Sequence, residues 1–422
     1  MRYAPAILIG RVVRRVARWR KPGGGSAIPG LIVNRIAPGF LASTLNSFPE
    51  GLVIVTGSSG KSTTTKMLVA VLRANGKKVF TNPSTANISQ GLTSALLEQA
   101  DLTGRIPGDL AVLEMDEGHG ALVAATLRPR VVALTNVMVD QIDRFHDSEM
   151  VAAMLGRIAS RATQAVVINA DDEYLSRLAG TLAPAIQVER YGVTAEVLAE
   201  NPRGLGYAQT SSRRLVSGEG IVVTQVHGRH AELELPEGRG TVELPARGTH
   251  YAVDAATALA TARVVLGDAF DLQSAVKAVS AIPPVFGRGE IATVQGKRVE
   301  FVLVQNPASF QLNVDSLEPD TEQVLVAVGS DVRDPSYFWP VDTSGIGRVL
   351  IASGSKAHDI ALQLAYDDVT VERIEPDLGL ALDDFLALPD PARGLKTIIF
   401  SADSMRRTRA HLGLATNSEE LA

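Results

Sequence analysis

The fold of this chain is decided by the stretch Leu52-Val53-Ile54-Val55-Thr56-Gly57-Ser58-Ser59-Gly60-Lys61-Ser62-Thr63-Thr64-Thr65. It runs from an apolar strand through a glycine turn into a helix that begins with a lysine and hydroxyl side chains. A glycine turn lets backbone N–H groups close on an anion, and the following helix presents its positive end. Lys61 adds a point charge, and the Ser62 hydroxyl can ligate magnesium. The stretch therefore predicts a loop that holds nucleotide phosphates.

The spacing of the glycines in this loop is unusual. Only two residues separate Gly57 from Gly60, whereas the common phosphate loop has four residues between its glycines. An ordinary strand-turn-helix connection is the alternative, but it does not account for a lysine followed by four consecutive hydroxyl residues. ATP is the expected occupant. The residues that we expect to bind it here are Gly57, Ser58, Ser59, Gly60, Lys61, Ser62 and Thr63.

An acidic cluster follows a second apolar strand, predicted over residues 109–114. Glu114 ends that strand in the sequence Glu-Met-Asp-Glu. Carboxylates at such a position hold a hard cation that bridges ATP and the reacting group. We therefore expect Ser62 and Glu114 to ligate Mg²⁺, with Asp116 and Glu117 as competitors for the role of Glu114. A solvated acidic loop is the alternative.

Apolar, β-branched strands alternate with helices along the chain, which predicts a parallel sheet covered on both faces. Nucleotides bind at the carboxyl ends of such strands, where Gly57, Glu114, Asn136 and Asn169 all occur. A second alternating run follows Pro283-Pro284 and indicates a separate, Rossmann-like domain. The predicted class is therefore α/β, with a central phosphate-loop domain and a C-terminal Rossmann-like α/β domain.

The 422 residues predict two or three domains, since single cores seldom grow beyond about 250–300 residues. We expect an N-terminal basic helical or extended segment (1–48), a central ATP-binding domain (49–282) and a C-terminal domain (283–422). Within the central domain, residues 220–235 alternate around Gly228-Arg229, which predicts a hairpin insertion at about 187–247.

Composition limits the compartment and the partners. The formal net charge is −5, so nothing overall favours nucleic acid. The chain has no cysteine, which excludes disulfides and thiolate metal ligands, fits a reducing cytosol and leads us to expect no zinc site. Basic residues are concentrated near the N-terminus, where residues 7–21 combine arginines with an apolar stripe. A packing helix is the favoured interpretation, and a membrane-surface helix is the alternative.

The shortened loop with its hydroxyl run resembles the Mur ligase family, whose members activate a carboxylate as an acyl phosphate that an amine then attacks. The segment Asn136-Val-Met-Val-Asp-Gln-Ile-Asp-Arg144 is similar to the family segment after the central strand, with Gln141 where the amino-acid-adding ligases carry histidine. That replacement is typical of the MurT branch. Further segments similar to this branch are Lys21-Pro-Gly-Gly-Gly-Ser-Ala-Ile-Pro-Gly30, Thr81-Asn-Pro-Ser-Thr-Ala-Asn87, Leu113-Glu-Met-Asp-Glu-Gly118 and Phe286-Gly-Arg288.

The resemblance implies a cytoplasmic ligase of peptidoglycan synthesis, peripheral at the inner face of the membrane. With ATP and Mg²⁺ it would amidate the D-glutamate α-carboxyl of the lipid II stem peptide, using ammonia from a GatD-like glutaminase in a heterodimer. Two alternatives stay open, a self-sufficient Mur-type amino-acid ligase and a nucleotide-binding scaffold without turnover. Gln141 and the lack of a lysine in residues 150–158, near which many Mur ligases have a carbamylated lysine, count against the first. Retention of the catalytic candidates Lys61 and Glu114 counts against the second.

The resemblance also implies roles for residues further along the chain. Asn169 and Asp172 lie in a turn similar to the one that contacts the nucleotide in Mur ligases. Arg288 lies at the joint between the two predicted α/β domains and could reach the phosphates when these domains close. The alternative for Asn169 and Asp172 is that they form an ordinary turn, since asparagine and aspartate are common turn residues.

One C-terminal segment, residues 331–342, resembles the MurT motif that supplies an aspartate to the partner glutaminase. By that resemblance, Asp334 would complete a Cys-His-Asp triad across the subunit interface and is a catalytic candidate. Asp331 is the runner-up. A loop aspartate that caps a helix or turn is the alternative.

Overall fold

A computed structural model describes residues 2–20, 27–83, 88–138, 147–208, 215, 218–283, 287–318, 321–334 and 338–414, and for residues 18–20 and Arg288 it describes the backbone alone. Helices and strands alternate through most of this part of the chain. The helices are α1 (Ala4–Arg20), α2 (Ile28–Ile36), α3 (Phe40–Leu45), α4 (Lys61–Ala74), α5 (Ser89–Gln99), α6 (Glu117–Ala124), α7 (Ser148–Ala159), α8 (Glu173–Ala179), α9 (Ala195–Ala199), α10 (Thr249–Leu266), α11 (Leu272–Ser280), α12 (Pro307–Asp315), α13 (Ala357–Tyr366), α14 (Leu378–Ala387) and α15 (Ala402–His411). The strands are β1 (Leu52–Thr56), β2 (Val79–Thr81), β3 (Leu110–Glu114), β4 (Val131–Leu134), β5 (Ala165–Asn169), β6 (Gln187–Val193), β7 (Ile221–His227), β8 (His230–Leu235), β9 (Gly238–Glu243), β10 (Arg288–Val294), β11 (Lys297–Leu303), β12 (Gln323–Ala327), β13 (Arg348–Ser353), β14 (Thr370–Glu375) and β15 (Lys396–Phe400).

The larger sheet, as far as the structure describes it, has nine strands in the order β2-β3-β1-β4-β5-β6-β7-β8-β9. All neighbours from β2 to β7 pair in parallel, and β8 and β9 are antiparallel additions at one edge. Strands β1, β3, β4 and β5 are buried at every residue, because helices cover both faces of the sheet. The predicted α/β class with a parallel sheet is confirmed.

Strand β1 is an interior strand of this sheet and lies between β3 and β4. The chain leaves β1 toward one side of the sheet and later crosses to β4 on the other side, so a crevice opens beyond the carboxyl end of β1. Helix α4 follows β1 and packs against α10 and α11. The fold therefore puts the glycine turn at residues 57–60 where open α/β sheets bind ligands.

Strands β6 to β9 extend the same sheet beyond β5. Strands β7 and β8 form an antiparallel hairpin, with His227 opposite His230 across the turn at Gly228-Arg229. Leu233 of β8 and Val242 of β9 belong to the same hydrophobic core as β1 and α4. This region therefore lengthens the central sheet.

The smaller sheet belongs to the C-terminal part of the chain and, within the residues described, has six strands in the order β10-β11-β15-β12-β13-β14. Strand β10 is antiparallel to β11, and the remaining pairs are parallel. Apolar runs at residues 298–304, 323–328, 348–352 and 397–400 predict β11, β12, β13 and β15 to within two residues. The sequence pattern does not reveal the edge strands β10 and β14. Three of the six residues of β14 are charged and four are exposed, so the alternation of apolar residues that signals a strand is weak.

Two arginines of the central part meet carboxylates of the C-terminal part. Arg203 lies beside both Asp315 and Asp342, with 2.9 Å from its Nη1 to Asp315 Oδ1. Arg247 Nη2 lies 2.9 Å from both carboxylate oxygens of Glu300. These contacts join the sheet that carries the glycine turn to the smaller sheet.

The contacts around Arg203 border a cavity of about 340 Å³ between the two parts. The Gln311 side chain pairs with the backbone of Asp342, since Gln311 Nε2 donates to its O at 3.2 Å and Gln311 Oε1 accepts from its N at 2.8 Å. Hydrogen bonds from Ser344 and then from Arg203 lower the pKa of Asp342 to about 2. The joint is therefore polar, and Asp342 is charged at neutral pH.

Candidate active site

Four neighbouring strands carry predicted functional residues at their carboxyl ends. In order across the sheet they are β3 with Glu114, β1 with Gly57, β4 with Asn136 and β5 with Asn169. Because these strands are parallel, all four residues lie at one edge of the sheet. The structure thus brings the predicted phosphate loop and the predicted acidic ligand together.

The two glycines of the loop meet both a backbone and a space requirement. Gly57 has a φ of 138°, and a Cβ atom there would lie 2.2 Å from Thr135 Oγ1. Gly60 has a φ of 80°, and a Cβ atom there would lie 2.1 Å from Asp254 Oδ1. Any side chain at these positions would be strained and would collide with its neighbour.

The segment after β4 braces the loop. The N–H groups of Ser58 and Ser59 donate to Asn136, to its O at 3.0 Å and to its Oδ1 at 2.9 Å. Thr135 Oγ1 donates to Ser59 O at 2.7 Å, and Met138 N donates to Ser58 Oγ at 3.0 Å. With these two amides engaged, the N–H groups that open α4 can still donate to an anion, since the first turn of a helix leaves them without helical partners.

Lys61 is the first residue of α4, and its ammonium lies over the loop. Nζ donates to Gly57 O at 2.5 Å and to Ser58 O at 3.1 Å. It also lies 3.4 Å from both carboxylate oxygens of Glu117, whose side chain is 4% exposed. Glu117 thus holds the lysine at the loop, and the lysine compensates a buried negative charge that would be costly alone.

Ser62 and Glu114, the predicted magnesium ligands, are neighbours. Ser62 Oγ donates to Glu114 Oε1 at 2.9 Å. Asn82 fixes the backbone of Glu114 from the next strand, because Glu114 N donates to Asn82 Oδ1 at 3.0 Å and Asn82 Nδ2 donates to Glu114 O at 3.1 Å. One hydroxyl and one carboxylate therefore converge beside Lys61.

The competing acids have other contacts. Asp116 is the N-cap of α6 and accepts from His119 N at 3.0 Å. Glu117 faces Lys61. Of the three acids, Glu114 is the one whose carboxylate accepts from Ser62.

The donor set suits a hard cation that is only partly bound by protein. No group of three histidine, aspartate or glutamate side chains forms a metal cage in the ranges that the structure covers. Ser62 and Glu114 offer oxygen ligands, and Mg²⁺ typically takes one or two such side chains together with water and phosphate oxygens. These residues therefore fit magnesium bound with a nucleotide.

The sequence pattern does not single out two side chains that contact the loop. Thr135, which directly follows β4, contacts the loop through Ser59 O, and Asp254 contacts the loop from α10. Asp254 is buried, and its Oδ1 accepts from Thr64 Oγ1 at 3.3 Å. A signal for it exists, because Asp254 is the sole carboxylate within the otherwise alanine-rich Thr249–Leu266 helix.

The turn at residues 169–172 supports the same edge from β5. Asn169 Oδ1 accepts from Asp171 N at 3.0 Å. Asp172 accepts from Val137 N at 2.7 Å and caps α8 through Leu175 N at 3.1 Å. Burial raises the pKa of Asp172 to about 6. Both predicted residues are fully buried, so their direct contact with the nucleotide stays a prediction.

Some predicted residues lie outside the described part. Arg288 starts β10 and pairs with Val302, but its side chain is not described. Asp140, Gln141 and Asp143, which belong to the segment 136–144 that resembles the Mur ligase family, are also outside it.

Asp331 and Asp334 follow β12, at the carboxyl edge of the smaller sheet. Asp331 Oδ1 accepts from Ser401 Oγ at 2.6 Å, and that hydroxyl accepts from Gly329 N at 2.8 Å. Asp331 is thereby tied to the end of β15, within its own domain. Asp331 and Asp334 are both exposed, and both follow a strand of a different sheet from the one that carries the phosphate loop.

Two protein families match the chain, the Mur ligase middle domain over residues 55–262 and the MurT ligase C-terminal over residues 303–392. The chain is 26% identical over 395 residues to the "Lipid II isoglutaminyl synthase (glutamine-hydrolyzing) subunit MurT" of Streptococcus pneumoniae, covering 83% of this chain and 84% of that protein. It is 23% identical over 399 residues to the protein of the same name from Staphylococcus aureus, covering 88% of this chain and 89% of that protein.

A solved structure shares the fold. MurF from Thermotoga maritima, in complex with ADP, superposes with a TM-score of 0.64 at 18% sequence identity, over 90% of this chain and 82% of that chain. Among the helices that the structure describes, none has the length and apolarity needed to cross a bilayer.

Proposed function

Because this chain belongs to the Mur ligase family and to its MurT branch, we propose that it is the ATP-using subunit of a lipid II isoglutaminyl synthase. It amidates the α-carboxyl of D-glutamate in the lipid II stem peptide. ATP phosphorylates the carboxylate, and ammonia then displaces phosphate to give the amide and leave D-isoglutamine. The observation that carries the proposal is the pairing of Ser62 with Glu114 beside Lys61 on the phosphate loop.

Phosphoryl transfer at such a site depends on positioning and on neutralisation of charge. The N–H groups that open α4 bind the phosphate oxygens. When ATP binds, the Lys61 ammonium gives up its hydrogen bonds to the carbonyl oxygens of Gly57 and Ser58 and donates to the phosphate oxygens instead. Charge-assisted hydrogen bonds of this kind are stronger than those to neutral carbonyls, which favours the exchange. Magnesium, held by Ser62 and Glu114, would neutralise charge between the phosphates and the acceptor carboxylate.

Ammonia has to come from elsewhere. Hydrolysis of glutamine by a Cys-His-Asp triad needs a thiol nucleophile, and this chain has no cysteine. We therefore assign ammonia production to a GatD-like glutaminase that forms a heterodimer with this chain. We assign to Asp334 the role of orienting the histidine of that partner, because residues 331–342 resemble the motif that supplies this aspartate, and the exposure of Asp334 is compatible with the role.

An exposed apolar and aromatic surface formed by Trp339, Leu362 and Tyr366 suits a protein partner. Trp339, Tyr366 and Leu362 are each more than half exposed. The rings of Trp339 and Tyr366 lie with their centroids 6.2 Å apart. Large aromatic side chains are enriched where partners bind and contribute much of the binding energy. We assign this aromatic pair to the glutaminase interface.

Trp339→Ala is expected to weaken binding of the glutaminase by about 2 kcal/mol or more, roughly thirtyfold in Kd. Titration calorimetry of the two purified subunits measures this change. Leu380→Ala is the matched control, since Leu380 is an exposed apolar residue of α14. Equal Kd values for the Trp339 variant and the wild type would place the interface elsewhere.

The proposed reaction is tested by incubating the chain with lipid II, ATP, Mg²⁺ and ammonium in detergent. Mass spectrometry should find the change from acid to amide in the stem peptide. A product that carries an added amino acid would instead identify a self-sufficient ligase. ATP binding without any product, in the presence of the partner, would identify a scaffold.

Glu114→Gln is expected to raise the magnesium concentration required for ATP consumption and to lower the maximal rate, because the neutral amide is a weaker ligand. Magnesium titrations of the wild type and the variant measure both effects. Asp116→Asn is the control, since asparagine also caps helices and its magnesium curve should be unchanged. Superimposable curves for Glu114→Gln and the wild type would assign the cation to another residue.

We further propose that this enzyme works peripherally at the inner face of the membrane, where a lipid-linked acceptor is found. The proposed domains are residues 1–48, 49–282 and 283–422. Closure of the last two would bring Arg288 to the nucleotide, as the sequence suggests.

A further inference from the structure

Helices α1 and α2 pack against each other and present large apolar side chains to solvent. We call these seven residues the N-terminal apolar face: Leu8, Ile9, Val12, Val16, Ile28, Leu31 and Ile36, each between 45% and 63% exposed. Leu8, Val12 and Val16 recur every four residues, so they form one stripe on α1. Single exposed apolar residues are ordinary, but a patch on two packed helices marks a binding surface.

The chain around this face is uniformly basic. Residues 1–49 contain eight arginine or lysine residues and no aspartate or glutamate, although the formal net charge of the whole chain is −5. Positive charge is therefore segregated into the segment that carries the apolar face. Such a concentration of positive charge favours binding to a partner whose surface is negatively charged.

Four of these arginines fall into two groups, one that contacts α5 and one that is exposed to solvent. Arg11 Nε donates to Leu97 O at 3.1 Å, and Arg14 pairs with Glu98, so these two fasten α1 to the end of α5. Arg15 and Arg35 are exposed on α1 and α2. The latter pair borders the apolar face and is available to an outside partner.

The face is connected to the edge of the sheet that holds the ATP loop. Asn34 of α2 hydrogen-bonds to the first turn of α5, with 3.0 Å from its Nδ2 to Ser89 Oγ and 2.6 Å from Thr93 Oγ1 to its Oδ1. Ser89 opens α5, the helix that follows β2, and β2 adjoins the strand of Glu114. A surface that seats α2 is therefore linked, through α5 and β2, to the strand that carries Glu114.

We propose that the N-terminal apolar face inserts into the interfacial region of an anionic lipid bilayer, with Arg15 and Arg35 at the headgroups. The inference rests on the proposed function for its purpose, because it would hold the enzyme beside a lipid-linked acceptor. Amphipathic helices with a basic flank bind membranes in this way, by apolar burial together with attraction to anionic lipid. A second copy of the chain fits less well, because pairing two such faces would bring the exposed arginines Arg15 and Arg35 of both copies together, and residues 1–49 offer no acid to neutralise them.

The test is cosedimentation of the full chain with vesicles of phosphatidylglycerol and phosphatidylcholine, compared with phosphatidylcholine alone. We expect binding to the mixed vesicles and at least about tenfold weaker binding to the neutral ones. Val12→Glu/Val16→Glu should weaken binding to the mixed vesicles by at least about tenfold, since it removes apolar contact and adds negative charge. Arg15→Glu should weaken it about fivefold or more.

Leu380→Glu is the matched control, an exposed apolar residue of α14 that should leave vesicle binding unchanged. Failure of the wild type to bind mixed vesicles, equal losses in the control, or Val12-dependent self-association in place of binding would each overturn the proposal. Vesicle binding needs neither ATP nor acceptor, so it is independent of the amidation assay. In detergent, where the acceptor is dispersed, the Val12→Glu/Val16→Glu variant should amidate at the wild-type rate, whereas failure of the proposed function would abolish amidation in both proteins.

Discussion

Lys61→Ala is expected to remove most ATP-dependent amidation while the chain stays folded. The ammonium of Lys61 lies over the phosphate loop, within 2.5 Å of Gly57 O. Loss of one charge-assisted phosphate contact costs about 2–4 kcal/mol in the transition state, which is roughly 30- to 900-fold in kcat/KM. Amidation with saturating ammonium and varied ATP measures the loss without the glutaminase.

The design has to allow for Glu117, which would lose its cation while buried. That uncompensated charge could destabilise the fold. Lys61→Ala/Glu117→Gln removes both partners and should melt close to the wild type while remaining inactive. Lys66→Ala, a change to another lysine of α4, is the control for charge alone. Near-normal turnover by a folded Lys61→Ala protein would refute the phosphate-loop assignment.

Asp334→Asn is expected to abolish glutamine hydrolysis by the complex, while ATP binding by this chain persists. Loss of the carboxylate that orients a triad histidine costs on the order of 10³–10⁴-fold. Free ammonium should therefore restore amidation by the variant complex. Glutaminase activity, ATP binding and ammonium-dependent amidation, measured on the same preparation, separate the two reactions.

Asp331→Asn is the matched control for this experiment, because Asp331 accepts from Ser401 within its own domain. It should retain glutamine hydrolysis. Survival of hydrolysis in Asp334→Asn together with its loss in Asp331→Asn would reverse the assignment. If ammonium does not rescue Asp334→Asn although ATP still binds, the residue acts in amidation itself and not in the partner.

The fold was predictable where the signal is local. Glycines, a lysine and hydroxyls over residues 52–65 predict the strand, the turn and the helix, because neighbours in sequence build them. The carboxyl-end position of Glu114 and Asn136 followed from parallel pairing alone. By contrast, the exposed and charged edge strand β14 depends on its neighbour β13 more than on its own apolar pattern.

The site was less predictable than the fold, because several of its contacts are long-range. Asp254 accepts a hydrogen bond from the hydroxyl of Thr64, which lies 190 residues earlier in the chain. The pairing of Lys61 with Glu117 likewise depends on how β1 and β3 align. Residue types left three acids as candidates for the metal ligand, and long-range or local contacts then gave each acid a different neighbour: Ser62 for Glu114, Lys61 for Glu117 and His119 for Asp116.

The ion pairs of Arg203 with Asp315 and Asp342 are weak contacts between the central and the C-terminal part of the chain. Arg203 and Asp342 keep 41% and 44% of their side chains exposed, and pairs of this kind contribute only about 0–1 kcal/mol each. A guanidinium flanked by two carboxylates can rotate from one to the other without exposing apolar surface. The Arg203 pairs therefore restrain rotation of one sheet against the other only weakly, and the more buried pair of Arg247 with Glu300 is the contact that such a rotation would have to break.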